Sequence, residues 1–170
     1  MAEETPIQAL ARGMQAIGQA LGVIAVAVIA LLSFPVFYDA LARKVGVPTT
    51  WVFEMSQYAL ICGAFLANAY ALRHGNHFRV QILLTLFPRR RQFLDDLSLA
   101  GTLLFAVVIA VCGAMTAFDS WSYGVRSASI FNVPLYLPQA VVPLGGLALA
   151  LQAAAMLILR QSPSEAAEFA

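Results

Sequence analysis

The sequence is poor in charged residues. Only 11% of its 170 residues are Asp, Glu, Lys or Arg, whereas soluble domains usually carry about 25%. Hydrophobic residues make up 61%, which is more apolar surface than a soluble chain of this size can bury. This composition excludes an ordinary soluble globule. It also excludes disorder, because disordered chains are poor in apolar residues. We therefore expect lipid to be the solvent for most of the chain.

Cysteine, histidine and net charge are also scarce. Two cysteines form no disulfide framework, and a net charge of +1 gives no reason to expect a nucleic-acid partner. A haem-binding redox subunit needs histidines on facing helices, whereas His74 and His77 lie together. The sequence shows no phosphate-binding glycine loop, nucleophile motif or metal cluster. We therefore expect no catalysis, metal or cofactor in this chain.

Charged residues divide the sequence into four long uncharged stretches, at 13–38, 55–72, 97–118 and 127–159. About 20 apolar residues, at ~1.5 Å per residue, cross the ~30 Å hydrocarbon core of a bilayer. The predicted fold is an all-α membrane protein with one membrane domain over residues 1–170. Its four transmembrane helices are predicted at about 17–38, 51–72, 97–118 and 134–159. The last begins near Pro134 because proline suits a first helical turn.

Basic residues predict how the chain is oriented. Four spans place both termini and the middle loop on one side of the membrane. That side carries seven of the ten basic residues, and the other side carries three. The positive-inside rule therefore places both termini in the cytoplasm. Trp51 and Trp121 then fall at the outer ends of the helices, where they form half of an aromatic belt.

The middle loop contains a short amphipathic segment. Apolar residues recur at positions 80, 83, 84 and 87, which form one face of a helix. The uncharged run from 80 to 87 is too short to span a membrane, and Pro88 and three arginines follow it. We expect a helix over about 77–94 that lies in the cytoplasmic interface, with Arg89, Arg90 and Arg91 at lipid phosphates. A helix packed against another protein would show the same pattern.

Polar residues at the membrane boundaries are candidates for a lipid or partner interface. The arginines serve either topology and lipid anchoring or an ion-pair site for a partner subunit, and Arg73 and Arg79 suit the second role best. Glu54 lies about one turn into the second helix. Three roles are open for Glu54. It is an acid stabilised by the helix dipole near the helix N-terminus, or a hydrogen-bonding residue that holds another helix or subunit, with Tyr58 at i+4 on the same face. The third role is a carboxylate that couples transport to protons. The full candidate set is Trp51, Glu54, Tyr58, Arg73, His77, Arg79, Arg89, Arg90 and Arg91.

Several ordered motifs resemble a known family. The second span opens with W-x-x-E-x-S-x-Y over residues 51–58, and A-x-R-x-G-x-H-x-R-V follows over 71–80. Later motif residues are Pro88 with the arginines after it, and Ser127, Pro134, Tyr136, Pro143, Leu144 and Gly145. Over roughly 15–160 the chain resembles the small integral-membrane (Q-type) subunit of tripartite ATP-independent periplasmic (TRAP) transporters. Gln81 departs from the pattern, because the family often carries an acid there.

The resemblance implies a function that the residues alone do not show. The family's small subunit partners a large multi-spanning subunit, and a periplasmic binding protein supplies an organic acid. Transport is secondary and sodium-coupled, with sodium expected on the large subunit. This chain would scaffold that subunit in the bacterial inner membrane, among phospholipids. The alternative is a self-sufficient small homodimeric transporter that uses Glu54 to couple protons. The shallow position of Glu54 favours the accessory subunit. We expect a charge-neutral substitution of Glu54, Arg73 or Arg79 to weaken assembly with the large subunit.

Overall fold

The described part of the chain is almost entirely helical. The computed structural model describes residues 6–47, 49–74, 91–129 and 131–159. Its helices are α1 (Pro6–Lys44), α2 (Thr50–Arg73), α3 (Arg91–Ser122) and α4 (Tyr136–Leu159). Within these ranges the backbone forms no strand, apart from an isolated bridge between Arg126 and Pro134. The predicted all-α class is therefore confirmed for the residues that the structure describes.

Three of the four described helices are long and apolar enough to cross a membrane. The candidate spans are Ala9–Lys44, Gln92–Ser122 and Tyr136–Leu159. They correspond to the predicted first, third and fourth spans. α2 has 24 residues, but Gln57 and Asn68 make it less apolar than the other three. The second predicted span is therefore a helix at the expected place, and its crossing of the membrane stays a prediction.

The helices are longer than the hydrocarbon core requires and extend beyond the predicted spans, whose bounds in the membrane stay predictions. α1 begins at Pro6 rather than near residue 17. Residues 91–94 form the first turn of α3, because no helix breaker separates them from the apolar stretch behind them. The rest of the predicted interfacial segment, 77–90, lies outside the described residues. α4 begins at Tyr136, because Pro134 pairs across the preceding loop instead of starting the helix.

α4 is the central helix of the described bundle. It packs against α1, α2 and α3, while α1 also packs on α2. Half of its span is buried inside the chain, against 11% for α1 and 17% for α3. Glycines allow this close approach. A Cβ added at Gly146 would lie 2.9 Å from the backbone nitrogen of Ala110, and one at Gly113 would lie 2.8 Å from Val142 Cγ1. Small residues therefore hold α3 against α4.

The apolar core lies towards one end of the bundle. Its buried members are Leu72, Leu99, Ala106, Leu149, Ala153 and Met156. These residues come from the end of α2, the first half of α3 and the second half of α4. The start of α2, the loop after α3 and the start of α4 meet at the opposite end. That end carries the polar site described below.

A buried amide in the middle of α4 predicts a stabilising substitution. Gln152 is completely buried, and neither its Oε1 nor its Nε2 has a hydrogen-bond partner among the residues that the structure describes. An unpartnered buried amide costs about 1–3 kcal/mol. We expect Gln152→Met, which is similar in size, to raise the thermal midpoint by several degrees in detergent, at about 2–4 °C per kcal/mol for a chain of this size. Gln92→Met at an exposed position is the matched control. A lower midpoint for Gln152→Met would contradict the prediction.

Candidate functional site

Two carboxylates are buried at the polar end of the bundle. Asp39 lies near the end of α1 and Glu54 lies in the second turn of α2, and each is only 8% exposed. Charged groups are rarely this buried unless hydrogen bonds or ion pairs compensate for the lost water. Each carboxylate has such partners, and the partners differ in chemistry.

Glu54 is held by three hydroxyl groups. Its Oε1 accepts hydrogen bonds from Tyr58 Oη at 3.0 Å and from Ser127 Oγ at 2.9 Å, and it also accepts a short hydrogen bond from Ser129 Oγ. The two serine oxygens lie 2.7 Å apart. Tyr58 is on the same helix, whereas the serines come from the loop between α3 and α4. Of the roles that the sequence left open for Glu54, the hydrogen-bonded link therefore has direct geometric support.

The loop that carries the serines is folded back on itself. Ser127 N donates to Val133 O at 2.8 Å, and Leu135 N donates to Val125 O at 3.1 Å. Asn132 turns the chain at a φ of 48°, in the left-handed region that asparagine tolerates better than most residues. Arg126 Nη1 donates to Asn132 O at 3.3 Å across the same loop. These contacts fix the direction in which the two serines approach Glu54.

A pocket of about 330 Å³ opens beside Glu54. Its lining includes the aromatic side chains of Trp51, Phe53 and Phe131, and the polar side chains of Glu54, Gln57 and Ser129. One wall therefore presents a carboxylate with its hydroxyls, and another presents aromatic rings. Ligand pockets are usually about 300–1,000 Å³, so this one has room for a small group rather than a large molecule.

Asp39 joins α1 to the start of α2. Its Oδ2 accepts from Arg43 Nε at 2.7 Å, and its Oδ1 accepts from the backbone nitrogen of Thr49 at 3.1 Å and from Thr49 Oγ1. Thr49 is the residue before α2, so this bond fixes where the second helix begins. The rings of Tyr38 and Trp51 lie 6.5 Å apart across the same junction. The predicted interface residue Trp51 is therefore held beside the end of α1.

Arg73 is the predicted interface arginine whose side chain the structure describes, and it does not join this site. Arg73 is at the far end of α2, about 28 Å from Glu54 at the usual helical rise, and its Nη1 donates to Gln19 Oε1 at 3.2 Å on an exposed surface. His77, Arg79, Arg89 and Arg90 lie outside the described residues. Arg91 begins α3, and its side chain is likewise outside the description. The roles assigned to these residues stay predictions.

Sequence reasoning missed most of the residues that surround the two carboxylates. Ser129 was not singled out, because its bond to Glu54 spans 75 positions and leaves no local pattern. The position of Asp39 is a weak sequence signal, since it is the acid that ends the first uncharged stretch. Its bond to Thr49, ten positions later, leaves no periodic pattern. In the described ranges, no group of three His, Cys, Asp or Glu side chains comes together. The expectation of no metal or cofactor stays a prediction.

The family comparison agrees with the resemblance drawn from the motifs. A family model described as "Tripartite ATP-independent periplasmic transporters, DctQ component" matches residues 32–162, which is well over half of the chain. The chain belongs to the DctQ family. The match runs from the last third of α1, through the Glu54 site, to the end of α4. Searches of curated proteins and of solved structures found no match.

Membership in the DctQ family establishes what kind of component this chain is and which components accompany it. The chain is the small component of a tripartite transporter, and DctQ is a family of transporter components rather than of enzymes. The other two components are a large membrane subunit and a periplasmic binding protein. Together with the apolar helices, this places the chain in the inner membrane.

Proposed function

We propose that this DctQ chain scaffolds and stabilises the large transport subunit of a sodium-coupled secondary transporter. Organic acids delivered by the periplasmic binding protein are the proposed substrates, and sodium binds the large subunit. One observation supports the scaffold role above others: α1 and α3 bury only 11% and 17% of their spans inside the chain. Their outer faces are available to a larger bundle and to lipid.

The position of the ionisable groups supports the same proposal. The described contacts of Asp39, Glu54 and Arg73 all lie near helix ends. Transport sites are usually built near the middle of the membrane, at broken helices. A chain whose polar contacts lie near its boundaries is better suited to hold a partner in place than to move a substrate. The transport site therefore belongs on the large subunit.

The proposed topology has four spans with both termini in the cytoplasm, so that the Glu54 site faces the periplasm. The excess of basic residues on one side supports this orientation. α2 crosses the membrane inside the bundle, where its contacts with α1 and α4 compensate for its lower apolarity. Residues 77–90 form the interfacial segment, with Arg89 and Arg90 at lipid phosphates.

The homodimeric proton-coupled alternative has no supporting observation. A coupling carboxylate belongs deep in a span, facing a pathway. Glu54 instead lies in the second turn of α2, and three hydroxyls share its Oε1. That arrangement suits a fixed structural link better than a group that must load and release protons.

Co-purification tests the scaffold proposal directly. The chain is extracted from its native membrane in a mild detergent, captured, and its partners are identified by mass spectrometry. We expect a large polytopic subunit in roughly equal amount. Recovery of the chain alone, together with uptake activity when it is reconstituted by itself in liposomes, would overturn the proposal and support the homodimer.

Two arginines provide a sharper test of assembly. We expect Arg73→Gln and Arg79→Gln to lower the yield of the co-purified complex several-fold, because the proposed topology puts their charges at the membrane boundary, where a partner can pair with them. Loss of the exposed Arg73–Gln19 contact should change stability by less than about 1 kcal/mol. Lys44→Gln, at the other end of the bundle, is the control. Unchanged complex yield and uptake in both arginine variants would contradict the assignment.

A further inference from the structure

The Glu54 pocket contains a negative charge that neutral groups hold in place. The three hydrogen bonds to Oε1 come from hydroxyls. Hydroxyl groups orient a carboxylate but do not cancel its charge. In the part of the chain that the structure describes, no basic side chain is seen bonded to Glu54. Arg126, the basic residue next to Ser127 in sequence, directs its Nη1 to Asn132 O instead. The pocket is therefore complementary to a cation.

The remaining walls indicate which kind of cation fits. Trp51, Phe53 and Phe131 line the pocket beside the carboxylate. Aromatic faces attract ammonium groups through cation–π interactions, and the three rings take up part of the lining that a hard metal ion would need for a full shell of oxygen ligands. A volume of about 330 Å³ is also roughly ten times the ~30 Å³ that one water occupies in the liquid. An organic ammonium group with several heavy atoms fits better than a bare ion.

The pocket is also in the right place to meet a lipid headgroup. It lies at the start of α2, beside the aromatic pair of Trp51 and Tyr38, and amphipathic rings of this kind collect at the level of the headgroups. Arg126 adjoins the lining residue Ser127, and its partner Asn132 adjoins the lining residue Phe131. A positive charge on the loop that lines the pocket, together with the carboxylate inside it, complements a headgroup that carries both an ammonium and a phosphate.

We propose that this pocket binds the headgroup of a zwitterionic phospholipid with a primary ammonium, the chemistry of phosphatidylethanolamine. The ammonium lies between Glu54 and the aromatic rings, and the phosphate faces Arg126. The inference needs the bundle to be in a membrane, but it needs neither the scaffold role nor a particular substrate. Failure of the proposal would therefore leave the proposed function intact.

Lipid retention by the purified full-length chain tests the proposal. The chain is placed in nanodiscs of equal parts phosphatidylethanolamine and phosphatidylglycerol with matched acyl chains, then transferred to detergent, and the retained lipids are counted by native mass spectrometry. We expect phosphatidylethanolamine to be retained about five- to tenfold over phosphatidylglycerol, which corresponds to about 1–1.4 kcal/mol. N-acetylated phosphatidylethanolamine, which lacks the ammonium charge, should lose the preference.

Two variants identify the pocket as the source of the preference. Glu54→Gln removes the charge and keeps an acceptor for the hydroxyls, and it should reduce the retention ratio to about one. Phe131→Ser removes an aromatic wall without touching the bonds to Glu54, so it covers the case in which Glu54→Gln fails to fold. Equal retention of the two lipids by the unaltered chain would overturn the proposal. An unchanged preference for phosphatidylethanolamine in the folded variants would also overturn it. So would loss of this preference when the large subunit is co-purified, because a partner would then cover the pocket.

Discussion

Gly145→Ala is expected to destabilise the chain by about 1–3 kcal/mol, the range typical of an overpacked helix contact. A Cβ added at Gly145 would lie 2.6 Å from the backbone oxygen of Phe65 and 2.8 Å from its carbonyl carbon. These atoms belong to the backbone of α2 and have no rotamer to change. α2 and α4 must therefore separate, which loosens the central packing of the described bundle. Thermal or SDS-induced unfolding in detergent measures the loss.

Two other glycines make this prediction specific. At Gly101, in the first half of α3, an added Cβ meets nothing within 4 Å among the described residues beyond the backbone of its own helix, so Gly101→Ala should be neutral or slightly stabilising. At Gly22 the added Cβ would meet the Cβ and Cγ atoms of Tyr70. Tyr70 Cβ is fixed to the backbone of α2 and has no rotamer to change, so Gly22→Ala should also destabilise the chain by forcing α1 and α2 apart. Equal stability of the Gly145→Ala and Gly101→Ala variants would show that α2 and α4 do not pack this closely.

Glu54→Leu is expected to cost about 2–4 kcal/mol and to release the loop between α3 and α4. Leucine fills the space but accepts no hydrogen bond, so Tyr58, Ser127 and Ser129 lose their shared acceptor. A hydrogen bond to a charged group contributes about 1.5–3 kcal/mol, and the freed hydroxyls recover part of that loss by bonding to water. Limited proteolysis within 123–135, together with the thermal midpoint, reports the effect.

Variants at and beside Glu54 separate its hydrogen bonds from its size and charge. Glu54→Gln keeps an oxygen acceptor and should lose less stability than Glu54→Leu. Gln57→Leu changes an exposed polar residue in the same pocket and should leave the loop protected. If Glu54→Leu were no more susceptible to protease than Gln57→Leu, the link between α2 and the loop would not be the contact that orders this end of the bundle.

The class of the molecule and the approximate place of each described helix follow from the pattern of charged and apolar residues. An uncharged, apolar stretch of about 20 residues favours a transmembrane helix, because a backbone in lipid must satisfy its own hydrogen bonds. The ordered motifs were enough to indicate the DctQ family. The contact between Glu54 and Tyr58 also followed from the sequence, since residues four positions apart share one face of a helix. The ends of the helices do not follow from the uncharged stretches, because α1 and α3 continue through the charged residues that flank those stretches.

The central position of α4 and the groups around the two carboxylates depend on how the helices pack together. Apolarity alone does not decide which helix is buried, because α1 and α3 are also apolar enough to span a membrane. That choice depends on where glycines such as Gly145 and Gly146 meet the backbones of other helices. The burial of Gln152 and the bonds from Ser127 and Ser129 to Glu54 likewise join residues that are far apart in the chain. Contacts of this kind depend on how helices pack in three dimensions, and a periodic pattern along one helix carries no record of its neighbours.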